Sequence, residues 1–360
     1  MLCMKLRKII MFDFSYTLTV VILGTMILGG IAGMLGTLLV LRQQALVGDA
    51  LSHATLPGVA LAFMFMNVRS LEVLLVGAFF SAVIAMILLD VIKNYSRIKF
   101  DAAMALILSA FFGFGQVLLS HLQKTGASAQ AGLSRFIFGQ AATLLVRDVY
   151  VIAGVAAFIF VLLLLFWKEL KLYIFDEAFF NSIGYSRRFI NGLMTFMVVV
   201  IITIGIRMVG VILMSALIIA PAVVARQFSN RFVFNVFLAG IVGATSAAIG
   251  TYLSSTAANV PTGPVIAVVL GMMVIISVMV SPHTSIIVRM IKNRNYVIKI
   301  KKYRKLIHFY ENPQKLANGT NNYQYFLDHN YMEKERNTLK ITQKGLKKIH
   351  SIKGVNYDEY

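Results

Sequence analysis

The sequence predicts an all-α polytopic membrane protein of about eight or nine transmembrane helices, followed by a small cytoplasmic α+β tail. Three observations carry this. Of 360 residues, 58% are hydrophobic and 14% charged, with a mean hydropathy of +0.78. Soluble domains average about 45–50% apolar and about 25% charged, and an aqueous core cannot bury the excess. Apolar runs of about 20 residues, the length a helix needs to cross a bilayer, recur along the chain. Finally, the net charge of +19 is unevenly placed, because residues 292–360 alone hold 15 basic and 6 acidic residues. The chain therefore divides into a membrane domain, 1–291, and a basic cytoplasmic domain, 292–360.

The first span, 15–40, follows Lys5, Arg7 and Lys8. Its apolar run continues to Leu41, too long for a signal-peptide core, and no small-residue cleavage site interrupts it early, so it reads as a retained span. Gly29, Gly33 and Gly36 give it the small-xxx-small spacing that lets helices approach closely. Further spans are expected over 46–66, 71–92 and 102–121, with Glu72, Asp90, Asp101 and His121 at their ends, where capping or water-facing roles suffice. Residues 122–147 are too polar to span and read as an external loop with a short helix around 133–145. A fifth span, 148–167, leads to FDEAFFNSIGYSRR, a short amphipathic helix ending at Gly184. Spans over 191–207 and 209–226 are separated by Arg207 alone, and spans over 232–253 and 263–281 complete nine. Lys93, Arg97 and Lys99, then Lys168, Lys171, Arg187 and Arg188, then Arg226 and Arg231 fall on one side with Arg42, Arg289 and the tail. That side is the cytoplasm by the positive-inside rule. Nine spans then put the N-terminus outside, against the pull of Lys5, Arg7 and Lys8. The single cysteine, Cys3, excludes an intrachain disulfide framework, a thiolate zinc site and an iron–sulfur cluster.

The informative segment is ALVGDALSHATLPGVALAFM, residues 45–64, where Asp49, His53 and Pro57 lie inside an apolar helix. An aspartate near a helix centre costs roughly 2.5–3.5 kcal/mol on insertion scales, so such groups face a polar interior and serve function. Asp49 and His53 are four residues apart and share a helical face. A carboxylate beside an imidazole suits manganese, zinc or iron, and Gly48 and Pro57 bracket the pair as they do where a helix is opened around a site. Two readings stand at this point. Either the two residues pair with each other or cap a frayed helix start, or they are metal ligands. One chain supplies too few donors for the second reading, and two copies in a symmetric dimer would fit better. The 18 methionines are scattered and read as packing.

Three ordered motifs resemble one family. GDALSHATLPGVALA, VGVILMSALIIAPAVVARQF at 209–228 (with Pro221 in Ala220-Pro221-Ala222), and VPTGPVIAVVLG at 260–271 are similar to the signatures of ABC-type permeases that import manganese, zinc or iron. The resemblance covers about residues 10–285. It implies a type II importer fold, shared with cobalamin and siderophore permeases, in the bacterial cytoplasmic membrane. It also implies two cytoplasmic ATPase subunits, a second permease subunit (the same or a related chain), and an extracytoplasmic metal-binding protein. Metal ligands would be Asp49 and His53, with no resident cofactor beyond the transported ion. The stretch 175–184 resembles the family's coupling helix, with Phe175, Asp176, Phe179 and Gly184 matching. Phe180 departs from the alanine usual there and implies a partner ATPase with a matching groove. No G-x-x-x-x-G-K-[ST] loop occurs in the chain, so hydrolysis would belong to the partners and this chain is not itself an enzyme.

The tail segment YFLDHNYMEKERNTLKITQKGLKKI, 325–349, reads as a helix end, a polar turn, a short strand and a helix from Thr342. This order is similar to the wing and last helix of winged-helix regulators. His308, His329 and His350 are too widely spaced to form a ligand set. The tail is the one segment with charge suited to nucleic acid, although tethering works against operator binding. Anionic lipid at 299–305 and a regulatory or docking role are the alternatives, and the last is preferred. Two rival functions remain at this stage: a proton-coupled secondary metal transporter using Asp49, and a membrane-anchored metal sensor with the tail as output.

Overall fold

With no water in a bilayer core to satisfy amides and carbonyls, an apolar segment must bond its own backbone, which a helix does. A computed structural model describes residues 16–66, 71–124, 144–256, 260–281, 286–311, 323–335 and 338–353. Two compact units form, Met1–His283 and Thr284–Tyr360. The boundary lies ahead of the expected 291/292 because one continuous basic helix begins at Ile286 and runs past it.

The first unit contains α1 (Tyr16–Leu41), α2 (Leu46–Met66), α3 (Leu71–Tyr95), α4 (Phe100–Lys124), α5 (Val146–Leu165), α6 (Trp167–Phe175), α7 (Glu177–Ser182), α8 (Arg187–Phe228), α9 (Phe232–Thr256) and α10 (Thr262–Val280). Among the described residues, nine helical segments are long and apolar enough to cross a membrane, because α8 supplies two of them, Arg187–Ile206 and Met208–Phe228. The sequence placed the break in α8 at Arg207. The non-helical backbone lies three residues later, at Gly210 (φ 84°, ψ 167°), a conformation that glycine reaches without a Cβ penalty. The expected helix at 133–145 falls almost wholly outside the described residues. Leu144 and Leu145 precede the start of α5 at Val146, where the Asp148 carboxylate accepts from the Leu145 amide at 3.1 Å.

The helices of this unit pack through small residues. A Cβ on Gly29 of α1 would stand 2.5 Å from the carbonyl oxygen of Gly243 in α9, and one on Gly33 would meet the Ala239 carbonyl. Gly29 and Gly33 of the first span's small-residue stripe therefore make the α1/α9 contact, joined by Thr25 and Thr251 hydroxyls 3.0 Å apart, while Gly36 meets the Ile218 backbone of α8. Gly58 of α2 and Gly77 of α3 make a second backbone approach, and the Ser81 hydroxyl donates to the Ala54 carbonyl at 2.6 Å beside it. Leu28, Leu35, Leu51, Met104, Ile159 and Met197 fill the core between them.

The second unit contains α11 (Ile286–Glu311), α12 (Gln324–Asp328), β1 (Met332–Glu335), β2 (Thr338–Ile341) and α13 (Gln343–Lys353). A single strand was expected, and an antiparallel hairpin is found, pairing Met332 with Ile341 and Glu335 with Thr338. The charges of MEKE conceal its strand character, since only Met332 reaches the small core of Tyr303, Leu306, Phe309, Phe326 and Ile349. The last helix begins where expected, and the Thr342 hydroxyl caps it by accepting from the Gly345 amide at 3.1 Å.

Candidate metal site

Chain geometry alone brings Asp49 and His53 together on one face of α2. The Asp49 carboxylate lies 3.5 Å from His53 Nε2, and the two side chains are 34% and 21% exposed. This is longer than a good hydrogen bond. Two donors each about 2.1 Å from a tetrahedral ion stand about 3.4 Å apart, close to the separation of this pair. The Ser215 side chain of α8, inside the second motif, lies beside the Asp49 carboxylate. Phe112 of α4 meets the His53 ring edge-on, with centroids 5.0 Å apart. His53 Nδ1 is buried and has no hydrogen-bond partner among the described residues, which leaves the imidazole tautomer free to follow whatever binds at Nε2.

Pro57 lies inside α2 and is itself buried. It has no amide to bond the carbonyl four residues earlier, which is that of His53. Gly115 of α4 fits against Leu56 and Pro57, where a Cβ would stand 2.9 Å from Leu56 Cβ. Gly48 lies under the Ile218 side chain of α8, and its carbonyl accepts the Ser52 hydroxyl at 2.6 Å. Pro221 in α8 lies against α1, where its Cβ would stand 3.2 Å from a Cβ on Gly33. No group of three or more His, Cys, Asp or Glu side chains able to hold an ion occurs among the described residues. Among the described residues, one chain therefore presents two side-chain donors on a partly exposed face.

The residues of the 175–184 stretch separate into two kinds. Asp176 is the N-cap of α7, its carboxylate accepting from the Phe179 amide at 2.8 Å, and Gly184 has φ 92° just past the helix. Both therefore have local folding roles. Phe175 ends α6 rather than belonging to α7, and it meets Phe232 edge-on at 5.8 Å. Phe175 and Phe179 remain more than half exposed. Phe180 corrects the expectation of a bulky contact for the ATPase. It is 1% exposed, facing inward, stacked on Tyr185 at 5.1 Å and tilted against Tyr173 at 5.3 Å. Sequence reasoning missed Ser215, Phe112 and Arg42. Of these, only Ser215 left a signal, as a hydroxyl within an apolar motif.

Residues 14–281 match the ABC 3 transport family. The chain belongs to that family. It is 42% identical over 280 residues to the zinc transport system membrane protein TroC of Treponema pallidum, covering 78% of this chain and 94% of that one. It is 38% identical over 295 residues to the manganese transport system membrane protein MntC of Bacillus subtilis, covering 82% and 68%. A probable iron transport system membrane protein of Haemophilus influenzae is 32% identical over 278 residues, covering 77% and 94%. Among solved structures, PsaBC from Streptococcus pneumoniae in complex with Fab superimposes with a TM-score of 0.66 at 29% identity, covering 76% of this chain and 94% of that one. An inward-facing putative metal-chelate type ABC transporter, at 17% identity and TM-score 0.56 over 72% of this chain and 84% of that one, shares the fold. The chain is thus a multi-pass permease of the ABC importer class. That membership speaks against both the secondary-transporter and the sensor readings.

Proposed function

We propose that this chain is the transmembrane subunit of an ATP-driven importer of a divalent transition metal (manganese, zinc or iron), with Asp49 and His53 as the transported ion's ligands. The observation that carries the reading is their placement: a carboxylate and an imidazole 3.5 Å apart within an otherwise apolar helix of a membrane unit. Relatives named for zinc, manganese and iron transport support the substrate class. Two donors per chain, on a partly exposed face, fit a site closed by a second permease subunit contributing the same pair. Such a site holds the ion delivered by an extracytoplasmic binding protein and releases it inward as the subunits part.

In this reading two ATPase subunits dock on the cytoplasmic helix α7 through the exposed rings of Phe175 and Phe179, while Asp176 and Gly184 fix its ends. The membrane is the bacterial cytoplasmic membrane, and the tail lies in the cytoplasm. The tail is a winged-helix-like regulatory or docking module, supported by its order of helix, hairpin and helix. The test is metal accumulation in cells lacking their own importer. Asp49→Ala and His53→Ala abolish accumulation while both variants insert in the membrane at wild-type amounts. Wild-type uptake by both variants overturns the site, and competition among manganese, zinc and iron names the substrate.

A further inference from the structure

Arg42 follows the last residue of α1 and looks in sequence like any basic residue at a span end. Its surroundings are unusual. The side chain is 7% exposed and lies 3.9 Å from the Glu177 carboxylate of α7. The guanidinium donates to the Tyr173 hydroxyl of α6 at 3.0 Å and to Asn191 Oδ1 of α8 at 3.0 Å, and it stacks 4.2 Å from the Tyr173 ring centre. Glu177 is shared with Arg187, at 2.8 Å. One planar group thus ties the end of α1 to α6, α7 and α8. Tyr173 in turn rests on Phe180 of α7, so α7 reaches Arg42 by an ionic and an aromatic route.

On its other side Arg42 is joined to the helix of Asp49 and His53 with little slack. The Arg42 amide bonds the Leu38 carbonyl at 3.2 Å and the Gln44 amide bonds that of Leu39 at 2.8 Å, while Gln43 takes a left-handed φ of 58°. The Val47 amide then bonds the Gln44 carbonyl at 3.1 Å, which starts α2. The amides of Arg42, Gln43 and Gln44 are all bonded back to α1, and Asp49 follows within the first turn of α2. An ion pair buried on one side costs more to break than a surface pair, because an unpaired guanidinium is left behind. The cluster therefore links these elements through one buried side chain.

We infer that Arg42 is a positioning residue that carries displacement of α7 into α2 and so couples ATPase movement to the Asp49–His53 site. The inference rests on the proposed roles of α7 and of that pair. Arg42 touches no metal and acts through Tyr173, Glu177 and Asn191 on one side and the 42–45 corner on the other. A purely structural arginine would change the amount of assembled transporter and leave the metal moved per ATP unchanged.

The experiment uses the full complex, with its ATPases and binding protein, reconstituted in proteoliposomes. Manganese(II) and zinc(II) serve as probes, and uptake and ATP hydrolysis are read on the same vesicles. Arg42→Ala keeps hydrolysis and lowers metal moved per ATP by about tenfold, within the 5- to 150-fold usual for coupled sites. Arg42→Lys, which keeps the charge but not the forked geometry, recovers part of the ratio, and Tyr173→Phe loses less than Arg42→Ala. If Arg42→Ala does not assemble, Arg42→Lys and Tyr173→Phe decide by the same ratio. A wild-type ratio in these variants overturns the inference alone when Asp49→Ala abolishes uptake in the same preparation. Normal uptake by Asp49→Ala overturns the site reading and the inference with it.

Discussion

The contact between α2 and α3 sets where the helix of Asp49 and His53 stands, and it can be loaded by a single methyl group. A Cβ on Gly58 would stand 2.6 Å from Ser81 Cβ and nearer still to the Gly77 carbonyl oxygen, while a Cβ on Gly77 would stand 2.6 Å from Ala62 Cβ. Ordinary carbon contacts lie at about 3.5–4.0 Å, so Gly58→Ala forces the two helices apart by about 1 Å. The obstacle is backbone, which cannot rotate away. Overpacking of this kind costs about 1–3 kcal/mol, against a gain of at most about 1 kcal/mol from replacing glycine by alanine in a helix. The net loss is up to about 2 kcal/mol, worth at most about 2–4 °C in Tm per kcal/mol in a unit as large as Met1–His283. Because Asp49 is nine residues away on the same helix, about 13 Å at 1.5 Å per residue, metal uptake falls as well. Gly154 of α5 is the control, since an added Cβ there meets nothing within 4 Å, so Gly154→Ala is neutral or slightly stabilising. The assay is thermal unfolding of the detergent-purified protein together with metal uptake in cells. Wild-type Tm and uptake for Gly58→Ala, or equal damage from Gly154→Ala, refutes the reasoning.

Pro57→Ala supplies the amide missing beneath the His53 carbonyl. Proline is about 3 kcal/mol less favourable than alanine inside a helix, so the variant is at least as heat-stable as wild type yet transports less; unchanged uptake removes Pro57 from the site's design. In the tail, burial and then the Tyr331 hydroxyl push the Tyr303 phenol up to about 12. A folded-state value above the ordinary one near 10 means that the neutral phenol's contribution is complete below about pH 10 and is lost as pH rises towards 12. Alkaline titration followed by tyrosinate absorbance therefore shows a late component that Tyr303→Phe removes; its persistence in that variant assigns it elsewhere. Truncation after Ile291 leaves metal uptake in place while altering its regulation, measured as uptake across a range of external metal. Loss of all uptake from an inserted, folded truncation overturns the tail's regulatory role.

Which features were legible in the sequence follows from whether a residue's role depends on local pattern or on distant partners. The spans were legible because bilayer backbone satisfaction allows one solution for a long apolar run. The Asp49–His53 pair was legible because helical periodicity alone puts i and i+4 on one face, although Asp49 lies in the first turn of α2 and not near the helix centre that the sequence suggested. The glycine stripe of α1 showed its spacing but not its partner, since Gly243 and Ala239 lie more than 200 residues on. Adjacent Phe179 and Phe180 carry the same side chain in the same short helix, so their burial is decided by Tyr173 and Tyr185. Arg207 advertised a break by its charge, whereas the turn itself needed the φ freedom of Gly210, one of 26 glycines.

Arg42 marks the limit of that kind of reading most sharply. Its positive charge was counted only as an orientation signal, because the positive-inside rule asks only for a basic residue near a span end. What distinguishes it from Arg97 or Lys99 is a hydroxyl, an amide and a carboxylate brought from residues 173, 191 and 177. A buried guanidinium with three such partners is over-determined for topology, since one exposed lysine would orient the span equally well. The excess of partners is what assigns it a second task, and the elements those partners come from say what the task connects.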